Sequence, residues 1–103
     1  MRLAVPTNDT ENQNIFTAKA GTGSTDNNYW LGISDEQVEG TWVDLDGNQI
    51  QYNKFKSGEP NGKTGENCVL GEWIDGLWND ASCSKKKQYV CESSPNSGMF
   101  FPN

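Results

Sequence analysis

No histidine occurs among the 103 residues. The commonest acid and base near neutral pH is therefore missing, and with it every histidine triad and histidine-ligated zinc site. Basic residues are scarce, eight Lys plus Arg against fourteen Asp plus Glu for a net charge of −6, so the basic stripe that a nucleic-acid partner requires is lacking. No apolar run approaches the roughly 20 residues needed to span a bilayer; neither nucleic acid nor membrane insertion is expected. The opening MRLAVPTNDT holds only Leu3-Ala4-Val5 before Pro6, short of the ~7–15 apolar residues of a signal-peptide core. Secretion is not encoded in the chain as given. No CxxC pair exists either: Cys68, Cys83 and Cys91 are spaced against a zinc knuckle or a thioredoxin-type redox pair, and their odd number leaves one without a mate.

Apolar residues make up only 33% of the chain, yet four Trp, four Phe and three Tyr are present, too many aromatics for a disordered acidic tail. One small domain with a thin core is expected, of a size that commonly adds disulfides or a metal. Asn8 followed by Glu11 reads as a capping box opening a helix from Asn8 to Ala20, with Ile15 and Ala18 on one face and Gly21 as the stop. Asn8-Asp9-Thr10 is also a glycosylation sequon, and cap and glycan would compete for the same side chain. A polar loop from Gly21 to Asn28 leads to a short buried strand, Tyr29 to Ile33. Trp42–Leu45 and Asn48–Tyr52 flank Asp46-Gly47, a dipeptide suited to a two-residue hairpin turn. From Asn53 to Asp80 regular patterns thin out, and Phe55, Trp73, Trp78 and Cys68 argue that this long stretch is ordered. Trp73 suits packing of that stretch better than rimming a site. Gln88 to Cys91 is the last strand expected. Lys85-Lys86-Lys87 before it reads as a solvated turn, and residues 93–103 as a flexible tail whose two Phe can dock.

Glu59-Pro60-Asn61, Glu66 and Asn79-Asp80 gather three carboxylates and two amides in that irregular stretch. All are hard oxygen donors, the set Ca²⁺ prefers, since it takes six to eight oxygens in irregular geometry. By composition alone a solvated polar loop explains them as well, because no EF-hand spacing is present.

The order of the pieces carries more. Trp30-Leu31-Gly32-Ile33, Glu59-Pro60-Asn61, Glu66-Asn67-Cys68, Trp78-Asn79-Asp80 with Cys83 after it, and Tyr89-Val90-Cys91-Glu92 together resemble a C-type lectin domain over Leu3 to Glu92. The resemblance implies an α+β C-type lectin-like fold with a long calcium-binding loop region, residues 1–92 forming the domain. It implies that Glu59, Asn61, Glu66, Asn79 and Asp80 are both the Ca²⁺ ligands and the sugar-binding residues, that Pro60 is cis, and that Cys68 pairs with Cys83. The Glu-Pro-Asn order resembles the mannose-type version, which takes mannose, N-acetylglucosamine or fucose; a Gln-Pro-Asp order would suggest galactose. An auxiliary calcium site in some relatives would use Asp35 and Glu39. Here Gly62 and Asn67 stand where those relatives often have acidic residues.

Measured against the family, the chain lacks the first strand, the first helix and the cysteine that would pair with Cys91. That absence is expected to expose apolar area and an unpaired strand edge, and to mark the chain as a piece of a longer secreted lectin. The expected function is calcium-dependent glycan binding, with avidity supplied by an oligomer or a larger parent chain and an extracellular setting implied by the family. The competing class is a protein- or ice-binding relative with structural calcium or none. An enzyme is not expected, because nothing here promises the deep cleft and raised-pKa acid of a glycosidase.

Overall fold

The computed structural model describes residues 2–19, 28–60, 65–92 and 100–102. Its elements run β1 (Arg2–Leu3), α1 (Asp9–Ala18), β2 (Tyr29–Ser34), β3 (Cys68–Gly71), β4 (Trp78–Ala81), β5 (Gln88–Glu92) and β6 (Phe100–Pro102). One helix and a mixed sheet make an α+β fold. The sheet has the order β1-β5-β2-β3-β4 with β6 also on β5; β2 and β5 are parallel and the other pairs antiparallel.

The Asn8 side chain caps α1 by accepting from Glu11 N at 2.8 Å, which satisfies one of the helix's orphan donors. The reciprocal half of the expected box is displaced by one residue. Glu11 Oε1 accepts from Thr7 N at 2.8 Å and Thr7 Oγ1 at 2.6 Å. The helix ends at Ala18 rather than Ala20; the expected stop at Gly21 and most of the Gly21–Asn28 loop lie outside the described residues. Ile15 is fully buried and Ala18 half-buried.

Tyr29, Leu31 and Ile33 of β2 are buried with Val69, Trp78 and Val90 in one cluster, so the strand expected at 29–33 is the middle of the sheet. Two strands within the stretch expected to be irregular, β3 and β4, form an antiparallel pair with Cys68 opposite Ala81 and Val69 opposite Asp80. Each is four residues long, too short for an alternation signal to stand out. The Asp46-Gly47 turn also differs. Asp44 N donates to Asn48 O at 2.9 Å and Gly47 N to Asp44 O at 3.1 Å, so the loop has three residues, with Gly47 at positive φ (+84°). Isolated bridges Ser34–Val43 and Val43–Gln49 take the place of regular strands there.

Of the expected tail, residues 93–99 and 103 lie outside the described residues, and Phe100–Pro102 dock as a strand. Phe100 and Phe101 pair opposite Glu92 and Cys91, and Phe100 packs on the core. Arg2 and Leu3 pair with the same two residues, Glu92 and Cys91, from the other side. The strand edge expected to be bare is therefore covered on both sides along these positions. Cys91 is free and half-buried.

Candidate metal and ligand site

Trp78 organises the site. It is fully buried, and the rings of Tyr52 and Phe55 meet it edge-on at 5.9 and 5.6 Å. Its Nε1 donates to Asn12 Oδ1 at 2.9 Å, and Asn12 Nδ2 donates to Gly76 O at 3.0 Å. Its backbone binds the loop as well: Trp78 N donates to Lys54 O at 2.8 Å, and Lys56 N donates to Trp78 O at 3.1 Å. Lys54–Lys56 thus runs beside β4. A turn closed by Glu59 N on Lys56 O at 2.9 Å, with Gly58 at φ +87°, then delivers Glu59 toward Asn79 and Asp80. Glu59–Pro60 is a cis peptide. Cys68 and Cys83 are joined with Cα atoms 5.2 Å apart, which closes the segment carrying Asn79 and Asp80.

Glu59, Glu66, Asn79 and Asp80 border one cavity of about 290 Å³. Four of the five expected ligands are thereby brought together; Asn61 lies outside the described residues. Among the described residues these carboxylates do not close to within 4.8 Å of one another as a group of three. The one set that does is Glu36 with Cys68 and Cys83, whose sulfurs are spent in the disulfide.

The donor set fits a hard cation by its electrostatics. Partial burial, then a hydrogen bond to Asp80 and the charges of Asp80 and Glu66, push the Glu59 carboxyl up to about 7, with Lys56 pulling the other way. Crowded carboxylates of this kind prefer a shared proton or a cation between them. A second acidic group adjoins them. Asp35 is 2% exposed; its Oδ2 accepts from Gly40 N at 2.8 Å, while its buried Oδ1 has no hydrogen-bond partner. Glu39 is raised above its ordinary value, first by desolvation and then by Asp35 and Asp80.

Two residues in contact with the candidate ligands' neighbourhood, Lys56 and Glu72, escaped the sequence reading. Asn79 Nδ2 donates to Glu72 Oε2 at 2.9 Å, and Lys56 Nζ holds the same oxygen at 2.6 Å. No motif joins Lys56 to Glu72, so only their meeting across β4 reveals them. The Lys triplet is solvated as expected, with Lys85 and Lys86 exposed, and Lys85 and Lys87 also border the acidic cavity. Trp73 is half-buried; its backbone N donates to Asn28 Oδ1 at 2.9 Å, and Lys19 Nζ lies 5.4 Å from its ring. No helix among the described residues is long and apolar enough to cross a membrane.

The Lectin C-type domain model matches residues 2–93. Human C-type lectin domain family 3 member A is 42% identical over 67 residues, covering 64% of this chain and 34% of that protein. Mouse tetranectin is 32% identical over 94 residues, covering 87% and 46%. The chain thus spans about a third to a half of these relatives' length. Among solved structures, the mouse scavenger receptor C-type lectin carbohydrate-recognition domain superposes with TM-score 0.75 at 29% identity, over 90% of this chain and 72% of that one. The cow CD23 carbohydrate-recognition domain, solved in the presence of a GlcNAc2Man3 oligosaccharide, gives 0.65 at 30%, over 80% and 60%. A calcium-independent type II antifreeze protein gives 0.75 at 26%, over 86% and 65%. Domains of this kind bind ligands rather than turn them over, and they generally bind calcium and carbohydrates. By motif order, fold and match over nearly its whole length, the chain belongs to the C-type lectin domain family.

Proposed function

We propose that this chain binds mannose-type glycans in a calcium-dependent manner, with Glu59, Asn61, Glu66, Asn79 and Asp80 holding the ion. The supporting observation is the convergence of Glu59, Glu66, Asn79 and Asp80 on one cavity, with the Glu59 carboxyl raised by its acidic neighbours and by desolvation. A bound Ca²⁺ would supply two coordination positions for vicinal hydroxyls. The carboxylates would accept hydrogen bonds from those hydroxyls and the Asn amides would donate to them. The order Glu59-Pro60-Asn61 favours mannose, N-acetylglucosamine or fucose over galactose. Single sugars should bind near millimolar, since roughly twelve heavy atoms at ~0.3 kcal/mol each supply about 4 kcal/mol. Clustering in an oligomer or a longer parent chain would raise that, in an extracellular setting that suits the Cys68–Cys83 bridge.

An auxiliary ion at Asp35 and Glu39 belongs to the same reading, supported by the buried, unpartnered Asp35 Oδ1. The test is a glycan array in calcium and in chelator. Calcium-dependent signals for mannose, N-acetylglucosamine or fucose are expected; signals indifferent to chelation would reject the ion-mediated reading. Likeness to the antifreeze protein supports a second reading, ice binding without calcium. Thermal hysteresis in chelator with a silent array would favour it.

A further inference from the structure

A cavity larger than the acidic one lies outside the site just described. It is an open groove of about 630 Å³, more than twice the volume of the acidic cavity and within the range of specific ligand pockets. Glu59 borders both, so the groove begins where the proposed sugar site ends. Its wall includes Trp42 and Phe55, a tilted aromatic pair with centroids 5.4 Å apart. Above them stand the exposed side chains of Gln49, Asn53 and Ser57.

We infer that this groove is a second subsite, taking the neutral hexose next along an oligosaccharide whose first ring sits beside Glu59. The inference rests on the glycan-binding reading and deepens it. Sugar rings present a C–H face and a rim of hydroxyls. Half-buried aromatic rings match the first, and planar amides, able to donate and accept, match the second. Asn53 Oδ1 accepts from Phe55 N at 3.3 Å, which leaves its two amide hydrogens as donors for a ligand. The charge pattern selects a neutral occupant. Lys56, the basic residue bordering the groove among the described residues, is already paired with Glu72 at 2.6 Å, and Glu59 is shared with the acidic cavity. An anionic or cationic substituent would find no counter-charge to spare.

The test is calorimetric titration of the calcium-loaded chain with methyl α-mannoside and with a linear mannotriose. The trisaccharide should bind about ten-fold or more tightly, and in amide NMR spectra it should shift Asn53, Ser57 and Gly58, which methyl α-mannoside leaves in place. The double variant Gln49→Ala, Asn53→Ala should lose most of that advantage while its affinity for methyl α-mannoside stays unchanged. If methyl α-mannoside binds and the trisaccharide gains no more than the about three-fold expected from its number of sugar units, the subsite is overturned while the calcium site stands. An advantage that persists in the double variant overturns it too. If neither sugar binds, the glycan-binding reading fails and the subsite with it.

Discussion

The Asn79 carboxamide donates to Glu72 at 2.9 Å, and Lys56 clamps the same Glu72 oxygen at 2.6 Å. An amide held by its nitrogen leaves its oxygen available as an acceptor, the atom a cation would use. Glu72 is therefore a positioning residue for Asn79. Glu72→Ala should weaken calcium binding about ten-fold or more, read by calorimetry. The melting midpoint in chelator should move little, since Lys56 is 39% exposed and regains water. Glu72→Gln keeps an acceptor and should rescue part of the loss. An unchanged calcium titration for Glu72→Ala would contradict this role.

Acid sensitivity should sit higher than the carboxylate range near 4 that the residue types suggest. Glu59 is raised from 4.5 to about 7, so the ion-free folded chain holds this proton more tightly than the unfolded chain. Stability from this group is fully present below about 4.5 and is lost as pH rises through about 7. In chelator the melting midpoint should therefore fall across that window. In calcium the trend should reverse, because ion and proton compete for the same carboxylate. Parallel melting curves at pH 5, 6, 7 and 8 check both signs.

Asn12 is 7% exposed and satisfies both Trp78 Nε1 and Gly76 O. Asn12→Leu strands both groups in the core and should cost about 1–3 kcal/mol for each. Denaturant unfolding in chelator measures the loss directly. A loss below about 1 kcal/mol would show that the link from α1 to β4 contributes little.

The Cys68–Cys83 bridge closes a sequence separation of 15 residues, which corresponds to about 3 kcal/mol in the chain-entropy model. Cys68→Ala, Cys83→Ala should lower stability by about that amount. It should weaken calcium binding as well, because the closed segment carries Asn79 and Asp80. Retention of wild-type calcium affinity would show that the β3–β4 pairing alone holds these ligands.

Much of the candidate site was legible because its oxygen donors sit in short, ordered motifs. Glu59-Pro60, Glu66 and Asn79-Asp80 could be named together, and the cavity gathers their described members. The helix cap at Asn8 was equally legible, since capping is a contact between near neighbours in sequence. Glu72 was not, because its meaning comes from Lys56 and Asn79, which only β4 and its neighbouring loop bring within reach. The docking of Phe100–Pro102 could be allowed for but its strand pairing could not be read, for a similar reason: three residues beside Ser, Pro, Asn and Gly carry no strand signal until β5 offers a partner.

Composition and motif order by themselves determined the chemistry available: hard oxygen donors, no imidazole, and a family in which such donors meet. Only the tertiary structure decided which groups share a boundary. Burying Trp78 sets the loop bearing Glu59 beside the strand bearing Asn79, and this places an aromatic groove against an acidic cavity. Local sequence carries donor identity, whereas shared walls between cavities arise from long-range packing, which no short window of residues contains.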